Sequence, residues 1–315
     1  MILKTYILSL SFCLCFVFAI GQTTFQVVPL GVKGGSDESN LSAYLVGAAG
    51  ANTYVCLDAG TVHAGLEKAV AAGALKGNVT TLLKENIKGY LISHPHLDHV
   101  AGLIINSPDD SPKPIYGLPF CLDVIKEKYF SWKSWANFGN EGEKPMLNKY
   151  RYTPLVSGQV VALEQTTLRV QAFELSHSSP GQSTAFLIEQ NGDYLLYLGD
   201  TGADEVELSN KLAALWQQVG GLIKTKKLKA IFIEVSFSNE QPTKSLFGHL
   251  TPALLMKELA SLDKASSNTI AGLPVVITHM KPLDDREEKI KAQLNSLNTL
   301  GVRLVFPVQG ELMKF

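Results

Sequence analysis

Cysteine is scarce in this chain, and that removes several classes of protein at once. Of four cysteines in 315 residues, Cys13 and Cys15 fall in an apolar N-terminal stretch, which leaves Cys56 and Cys121 for the rest. Two thiols do not make the disulfide framework of a small secreted domain. Two readings stay open for them: one disulfide in an oxidising compartment, or two buried free thiols. Excess charge is lacking too, with 28 Lys and Arg against 29 Asp and Glu. Long nucleic acids are therefore not expected partners, because their affinity rests on many Lys/Arg–phosphate contacts. No internal repeat or low-complexity segment is present.

A membrane span is also missing from this reading. The apolar stretch from Tyr6 to Ile20 covers 15 residues, whereas a spanning helix needs about 20. Lys4 is the only charge among the first 21 residues. Ala19-Ile20-Gly21 resembles a small-x-small cleavage site, so residues 1–21 are expected to be a signal peptide and Gln22 the mature start. Loss of Lys4 changes the balance to 27 basic against 29 acidic residues, a net charge of −2. The mature chain, 22–315, is expected to be exported, periplasmic or secreted, without a membrane span; monomer and homodimer both stay open.

Runs of β-branched and aromatic residues between turn signals predict strands over 25–32, 43–46, 53–57, 90–93, 168–175, 184–189, 194–198, 230–235, 275–278 and 302–306. Helices are predicted over 61–75, 205–219, 252–262 and 286–300, with Thr251-Pro252 as an N-cap and first-turn pair. Strands cluster early and again in the middle, so two packed sheets flanked by helices are expected rather than one doubly wound sheet. Residues 106–154 carry six prolines and the aromatic group Tyr129, Phe130, Trp132, Trp135 and Phe138. They are read as an insertion lying over the scaffold, whose aromatics supply either ordinary packing or a wall for an aromatic substrate group.

Histidine is sparse as well: seven in the chain, yet three of them in Ser93-His94-Pro95-His96-Leu97-Asp98-His99. Imidazole nitrogen and carboxylate oxygen are the ligands of Zn²⁺ where thiolates are absent. Pro95 suggests that these side chains fan out from a loop instead of lining a helix. Further candidates recur just past apolar runs: His177 after Phe173-Glu174-Leu175-Ser176, Asp200 after Leu195-Leu196-Tyr197-Leu198-Gly199, and His279 after Val275-Val276-Ile277-Thr278. Loops at the C-terminal ends of strands are where α/β sheets gather ligands. The inventory suits two ions, one on His94, His96 and His177, the other on Asp98, His99 and His279, with Asp200 bridging. Nitrogen and oxygen donors alone favour Zn²⁺, with Mn²⁺ or Fe²⁺ as substitutes.

This ligand pattern resembles the metallo-β-lactamase superfamily from about Phe25 to the C-terminus. That implies an α/β fold, a four-layer αββα sandwich of two mixed β-sheets. A narrower resemblance lies in His94-Pro95-His96-Leu97-Asp98-His99-Val100-Ala101-Gly102-Leu103-Ile104-Ile105-Asn106-Ser107-Pro108, which is similar to the signature of class II cyclic-nucleotide phosphodiesterases. Gly248-His249-Leu250-Thr251-Pro252 and Thr278-His279-Met280-Lys281-Pro282 fit the same family. Between Asp109 and Tyr152 the likeness is loose, and base recognition is sought there.

The resemblance implies a dinuclear enzyme that hydrolyses 3′,5′-cyclic nucleotides to nucleoside 5′-phosphates, with cyclic AMP as the first candidate substrate and cyclic GMP as the second. Two bound ions would activate water and stabilise an in-line displacement, with Asp98 serving both binding and catalysis. Glu234 and His249 look like a glutamate–histidine proton relay to the leaving oxygen; Glu234 is equally open to holding a metal-bound histidine. Asp58 is expected to orient the metal loop, His63 to be a surface residue, and Lys281 to be either a phosphate partner or a solvated charge. The rival enzyme is a secreted lactonase or β-lactamase-type hydrolase on the same scaffold. An RNA-processing nuclease is disfavoured by export and by near-neutral charge. A metal-scavenging protein is disfavoured by a bridged site that leaves room for water.

Overall fold

Strict alternation along the strands sends one set of side chains between two sheets and the other set under helices. In the computed structural model, which describes residues 23–315, the expected leader lies outside the described residues. The first sheet holds β1 (Phe25–Gly31), β2 (Ala43–Ala48), β3 (Tyr54–Leu57), β4 (Ile87–Leu91), β5 (Lys113–Gly117) and β6 (Tyr150–Pro154). The second holds β7 (Val160–Ala162), β8 (Arg169–Ser176), β9 (Gln182–Gln190), β10 (Asp193–Leu198), β11 (Leu228–Glu234), β12 (Pro274–Thr278) and β13 (Arg303–Val305). A short last strand, β14 (Met313–Lys314), closes the first sheet beside β1.

Both sheets are mixed. Strands β3 to β6 run parallel and β1 to β3 antiparallel. Strands β10 to β13 run parallel, and β7 to β10 alternate. Phe25, Val27, Tyr44, Val46, Val55 and Leu57 of the first sheet meet Phe186, Ile188, Leu195, Tyr197, Ala230 and Phe232 of the second in one buried core. Tyr44 bridges the sheets edge-on to Phe232, with ring centroids 5.7 Å apart. The intervening residues Val28, Leu30, Leu45 and Cys56 pack instead under the helices His63–Ala71, Leu97–Asn106 and Pro119–Val124. Ile231 and Ile233 likewise pack under Lys211–Lys224, Pro252–Ala265 and Arg286–Leu297. Helix, sheet, sheet, helix is the four-layer order expected from the sequence.

Three expectations differ from the structure. The stretch 106–154 is not wholly an insertion, since β5 and β6 within it complete the first sheet. Pro114 hid β5, but the ladder between β4 and β5 pairs only Ile115 and Tyr116, and Pro154 ends an edge strand, where a missing N–H is tolerated. Asp98 and His99 do not stand on a loop: they occupy the first turn of the helix Leu97–Asn106, with His96 as its N-cap. Pro95 lies before that helix and does not break it. The helix expected over 205–219 is interrupted at Leu208, which adopts a left-handed conformation between Asp204–Glu207 and Lys211–Lys224. Of the aromatics in the excursion, Phe130 serves packing, buried, stacked on Tyr150 and edge-on to Phe138, whereas Trp132 and Trp135 are exposed. Cys56 and Cys121 are both free and buried.

Candidate metal centre

Parallel strands bring the functional loops to one edge. His94 follows β4, His177 follows β8, Asp200 follows β10 and His279 follows β12, each just past a C-terminal strand end. The structure places His94, His96 and His177 together, Asp98, His99 and His279 together, and Asp200 with His94 and His99, donor atoms within 4.8 Å in every group. Asp200 lies between the two triads: its Oδ1 is 3.3 Å from His99 Nε2, and its Oδ2 is 3.2 Å from His279 Nε2 and 3.8 Å from His94 Nε2.

Hydrogen bonding around the rim fixes which nitrogen of each ring faces inward. His177 Nδ1 donates to the carbonyl of Gly248 at 2.8 Å, which leaves Nε2 a bare lone pair. His99 Nδ1 donates to Asp58 Oδ2 at 2.8 Å. Ser93 Oγ spends its proton on Asp58 Oδ2 and so accepts from His94 Nδ1 at 3.0 Å. Ser236 Oγ spends its proton on Glu234 Oε2 and accepts from His279 Nδ1 at 2.9 Å.

Four imidazoles thus present Nε2 lone pairs to a shared space. His96 Nδ1 meets two of them at 3.1 and 3.3 Å. His99 Nε2 is buried without a hydrogen-bond partner. Lone pairs held this close repel unless a cation sits among them, so the donor set fits divalent metal ions.

The electrostatics agree. Burial, reinforced by neighbouring imidazoles, lowers His94, His96 and His177 below the ordinary histidine range and keeps them neutral ligands. Burial works against charge on His99 too, but the carboxylates of Asp200 and Asp58 outweigh it and raise this one well above that range. The space between His99 and Asp200 therefore favours a positive charge, supplied by a proton or a metal. Burial also opposes ionised Asp200, yet its electrostatic interaction with the adjoining His279 and His99 rings holds it well below the usual carboxylate range.

Asp58 and Glu234 are the two buried anchors. Asp58, at φ 52°, accepts from Ser93 N, Ser93 Oγ, His99 Nδ1 and Tyr197 Oη within 2.8 Å. Glu234, at the end of β11, accepts from His249 Nδ1 at 2.7 Å and from Thr201, Ser236 and Leu250 backbone N–H groups. The charge of Glu234 raises His249 against the effect of burial. His249 stacks on His279, centroids 5.3 Å apart, with its Nδ1 3.7 Å from Asp200 Oδ2. His249 and Glu234 therefore adjoin the seven candidate ligands.

Sequence reasoning missed Ser93 and Ser236, the hydroxyls that set two tautomers; their places beside His94 and two residues after Glu234 were the available signal. Gly34 was missed as well. A Cβ there would come within 2.2 Å of the His279 ring, and the next residue, Gly35, donates its N–H to Asp98 Oδ2 at 2.9 Å. Tyr129 of the excursion donates to the Pro95 carbonyl at 2.8 Å and so tethers the histidine loop. His63 is outside the centre, paired with Glu67 on the surface.

The fold is that of the metallo-β-lactamases, and its strand-end edge carries a cluster of nitrogen and oxygen donors that could hold metal ions. Solved structures share that fold: unliganded yeast PDE1 superimposes with a TM-score of 0.80 at 22% identity, over 93% of this chain and 100% of the other. The metallo-β-lactamase fold protein YhfI from Bacillus subtilis gives 0.62 at 12% identity, over 93% of this chain and 100% of that one. A 3′,5′-cyclic-nucleotide phosphodiesterase of Aliivibrio fischeri is 46% identical, over 95% of this chain and 96% of its own length. A probable 3′,5′-cyclic-nucleotide phosphodiesterase of Yersinia pestis is 37% identical, over 100% of this chain and 95% of its own. The family profile of the class-II cAMP phosphodiesterases matches residues 74–310, and the chain belongs to that family of enzymes.

Proposed function

We propose that this chain hydrolyses the 3′,5′-phosphodiester of cyclic AMP to the nucleoside 5′-phosphate, and accepts cyclic GMP, with two divalent ions as cofactors. His94, His96 and His177 would hold one ion, Asp98, His99 and His279 the other, with Asp200 shared. Zn²⁺ suits this donor set, and Mn²⁺ or Fe²⁺ are its substitutes. Such a pair, when bound, supplies Lewis acidity toward phosphoryl oxygen and makes water nucleophilic at neutral pH.

The protein's own residues do the rest. Asp58, Ser93, Ser236 and the Gly248 carbonyl keep the ligand rings aimed inward. His249, with Nδ1 tied to Glu234, keeps Nε2 as the atom that gives a proton to the departing 3′ oxygen. Glu234 has both roles read from the sequence, since it also takes the Ser236 hydroxyl that orients His279.

The observation that carries this reading is the set of inward lone pairs beside the His249–Glu234 pair, in a chain of this family. Residues 22–315 are taken as one hydrolase unit and residues 1–21 as an export leader. The test is a metal-quantified preparation assayed on cyclic AMP, cyclic GMP, a lactone and a cephalosporin. Cyclic-nucleotide turnover that chelation and Asp200→Ala each abolish is expected. Activity on the lactone or cephalosporin alone, or turnover that survives both treatments, overturns it.

A further inference from the structure

We propose that the nucleobase of the substrate docks in a cavity of about 410 Å³ beside His177, walled by Ser178, Ser179, Glu207, Leu208, Phe247 and Gly248. This rests on the phosphodiesterase reading above and adds the residues that hold the base. Those segments leave the ends of β8, β10 and β11, the same edge from which the candidate ligands project. The cavity and the metal centre share backbone: His177 precedes Ser178, and the Gly248 carbonyl accepts from the His177 ring at 2.8 Å. A Cβ on Gly248, whose φ is +77°, would lie 2.1 Å from the Ser178 nitrogen, so only glycine lets the two walls meet.

Two features of the wall are costly to the free protein. Leu208 is 92% exposed and Phe247 64% exposed. Both have φ of 52°, and Ser178 has φ of 55°, a left-handed conformation that bulky side chains adopt at a cost. Bare apolar surface held by strained backbone contributes nothing to folding, but it suits a flat, apolar ligand that covers it. A purine has two such faces, and aromatic side chains bind bases by stacking.

Its polar edge also finds a match. The Glu207 carboxylate is nearly buried in the wall, and Oε2 accepts the Ser179 N–H at 2.9 Å. A carboxylate has about four acceptor sites, so others are left for the exocyclic amine of adenine or guanine. The base is thus placed away from the 109–152 stretch, where Phe130 is buried against Tyr150 and Phe138.

The experiment compares cyclic AMP with a base-free analogue, the 3′,5′-cyclic phosphate of methyl riboside, on metal-loaded protein. Phe247→Ala is expected to lose roughly tenfold in kcat/KM on cyclic AMP and nothing on the analogue. Glu207→Gln, which can still accept from Ser179, is expected to lose on cyclic AMP alone. Leu208→Gly is expected to lose on cyclic AMP while raising Tm, because glycine relieves the left-handed backbone. Equal losses on both substrates, unchanged kinetics on cyclic AMP, or a lowered Tm for Leu208→Gly overturns the site. Wild-type protein that turns over neither substrate overturns the phosphodiesterase reading, and this site with it.

Discussion

Asp58→Asn tests whether the metal loop is held by one buried carboxylate. The substitution keeps shape, and asparagine tolerates the φ of 52° at this position, so backbone strain does not enter. What changes is acceptor capacity. Asp58 Oδ1 takes the Ser93 N–H, while Oδ2 takes Ser93 Oγ, His99 Nδ1 and Tyr197 Oη. If the amide oxygen replaces Oδ2, the amide nitrogen faces the Ser93 N–H, donor against donor. The opposite rotation sets it against three donors. The first is milder, yet it strands one buried donor at about 1–3 kcal/mol and weakens three charge-assisted bonds by about 0.5 kcal/mol or more each. A total near 3–4 kcal/mol corresponds to a Tm loss of roughly 10 °C for a domain of this size. His99 also loses the anion that holds its Nδ1 proton, so metal affinity is expected to fall about 10–100-fold. Melts of chelated protein read the first effect, and competition with a chromophoric chelator reads the second. Unchanged Tm together with unchanged metal affinity would refute the anchoring role.

Three further outcomes are expected. His249→Ala at full metal content should lower kcat on cyclic AMP by on the order of 10²-fold; wild-type kcat would eliminate it as the proton donor. Lys281 has no carboxylate within 4.0 Å among the described residues, and its Nζ lies 4.9 Å over the Phe237 ring, which packs edge-on against His249 at 5.7 Å. Lys281→Ala should raise KM about fivefold through loss of a rim cation worth about 1 kcal/mol, most clearly at low salt; a KM that does not move would leave it a solvated charge. Glu258 accepts from Trp216 Nε1 and Asp204 N, but burial dominates and raises its carboxyl above the usual range. Its folded value exceeds its unfolded one, so the linked stability is complete at acid pH and fades as pH rises through the folded value. Glu258→Gln should flatten that part of the stability–pH curve of chelated protein; an unaltered slope would count against it.

What the sequence made legible was whatever repeats locally. Tyr44, Val46, Val55 and Leu57 alternate with Leu45 and Cys56, and such alternation announces strands without any knowledge of partners. The candidate ligands were readable for a related reason: His94, His177, Asp200 and His279 each lie just past an apolar run, and His96, Asp98 and His99 crowd the same short window as His94. Features that depend on pairing were not. Strand β5 has proline at its second position and is a strand because β4 and β6 flank it. The helix Leu97–Asn106 starts within the histidine motif, where ligand chemistry masked a buried stripe of Val100, Leu103 and Ile104. Ser93 and Ser236 matter through hydroxyl protons already committed to Asp58 and Glu234. For Ser93 no local pattern reports such a commitment, because its partner lies 35 positions away, whereas Ser236 stands only two positions from Glu234.

The distribution of donors between the sheets has a consequence for how the centre forms. The connection after β4 of the first sheet supplies His94, His96, Asp98 and His99, the last two from the first turn of a helix, and loops of the second sheet supply His177, Asp200 and His279. Each triad therefore needs both sheets, and the contact between Asp98 and His279 spans 181 positions. Contacts so remote in sequence form only after the loop entropy between them has been lost, so the centre cannot nucleate the fold. The sheets have their own reason to meet, the apolar core in which the Tyr44 ring packs against Tyr197 and Phe232. Ions bound at the edge would then act as a clasp on a sandwich already assembled, tightening the strand-end loops whose placement the chemistry requires. That order also explains why so many buried hydroxyls and carboxylates surround the rings: the ligands must be aimed before any cation arrives, and protein hydrogen bonds alone can do so.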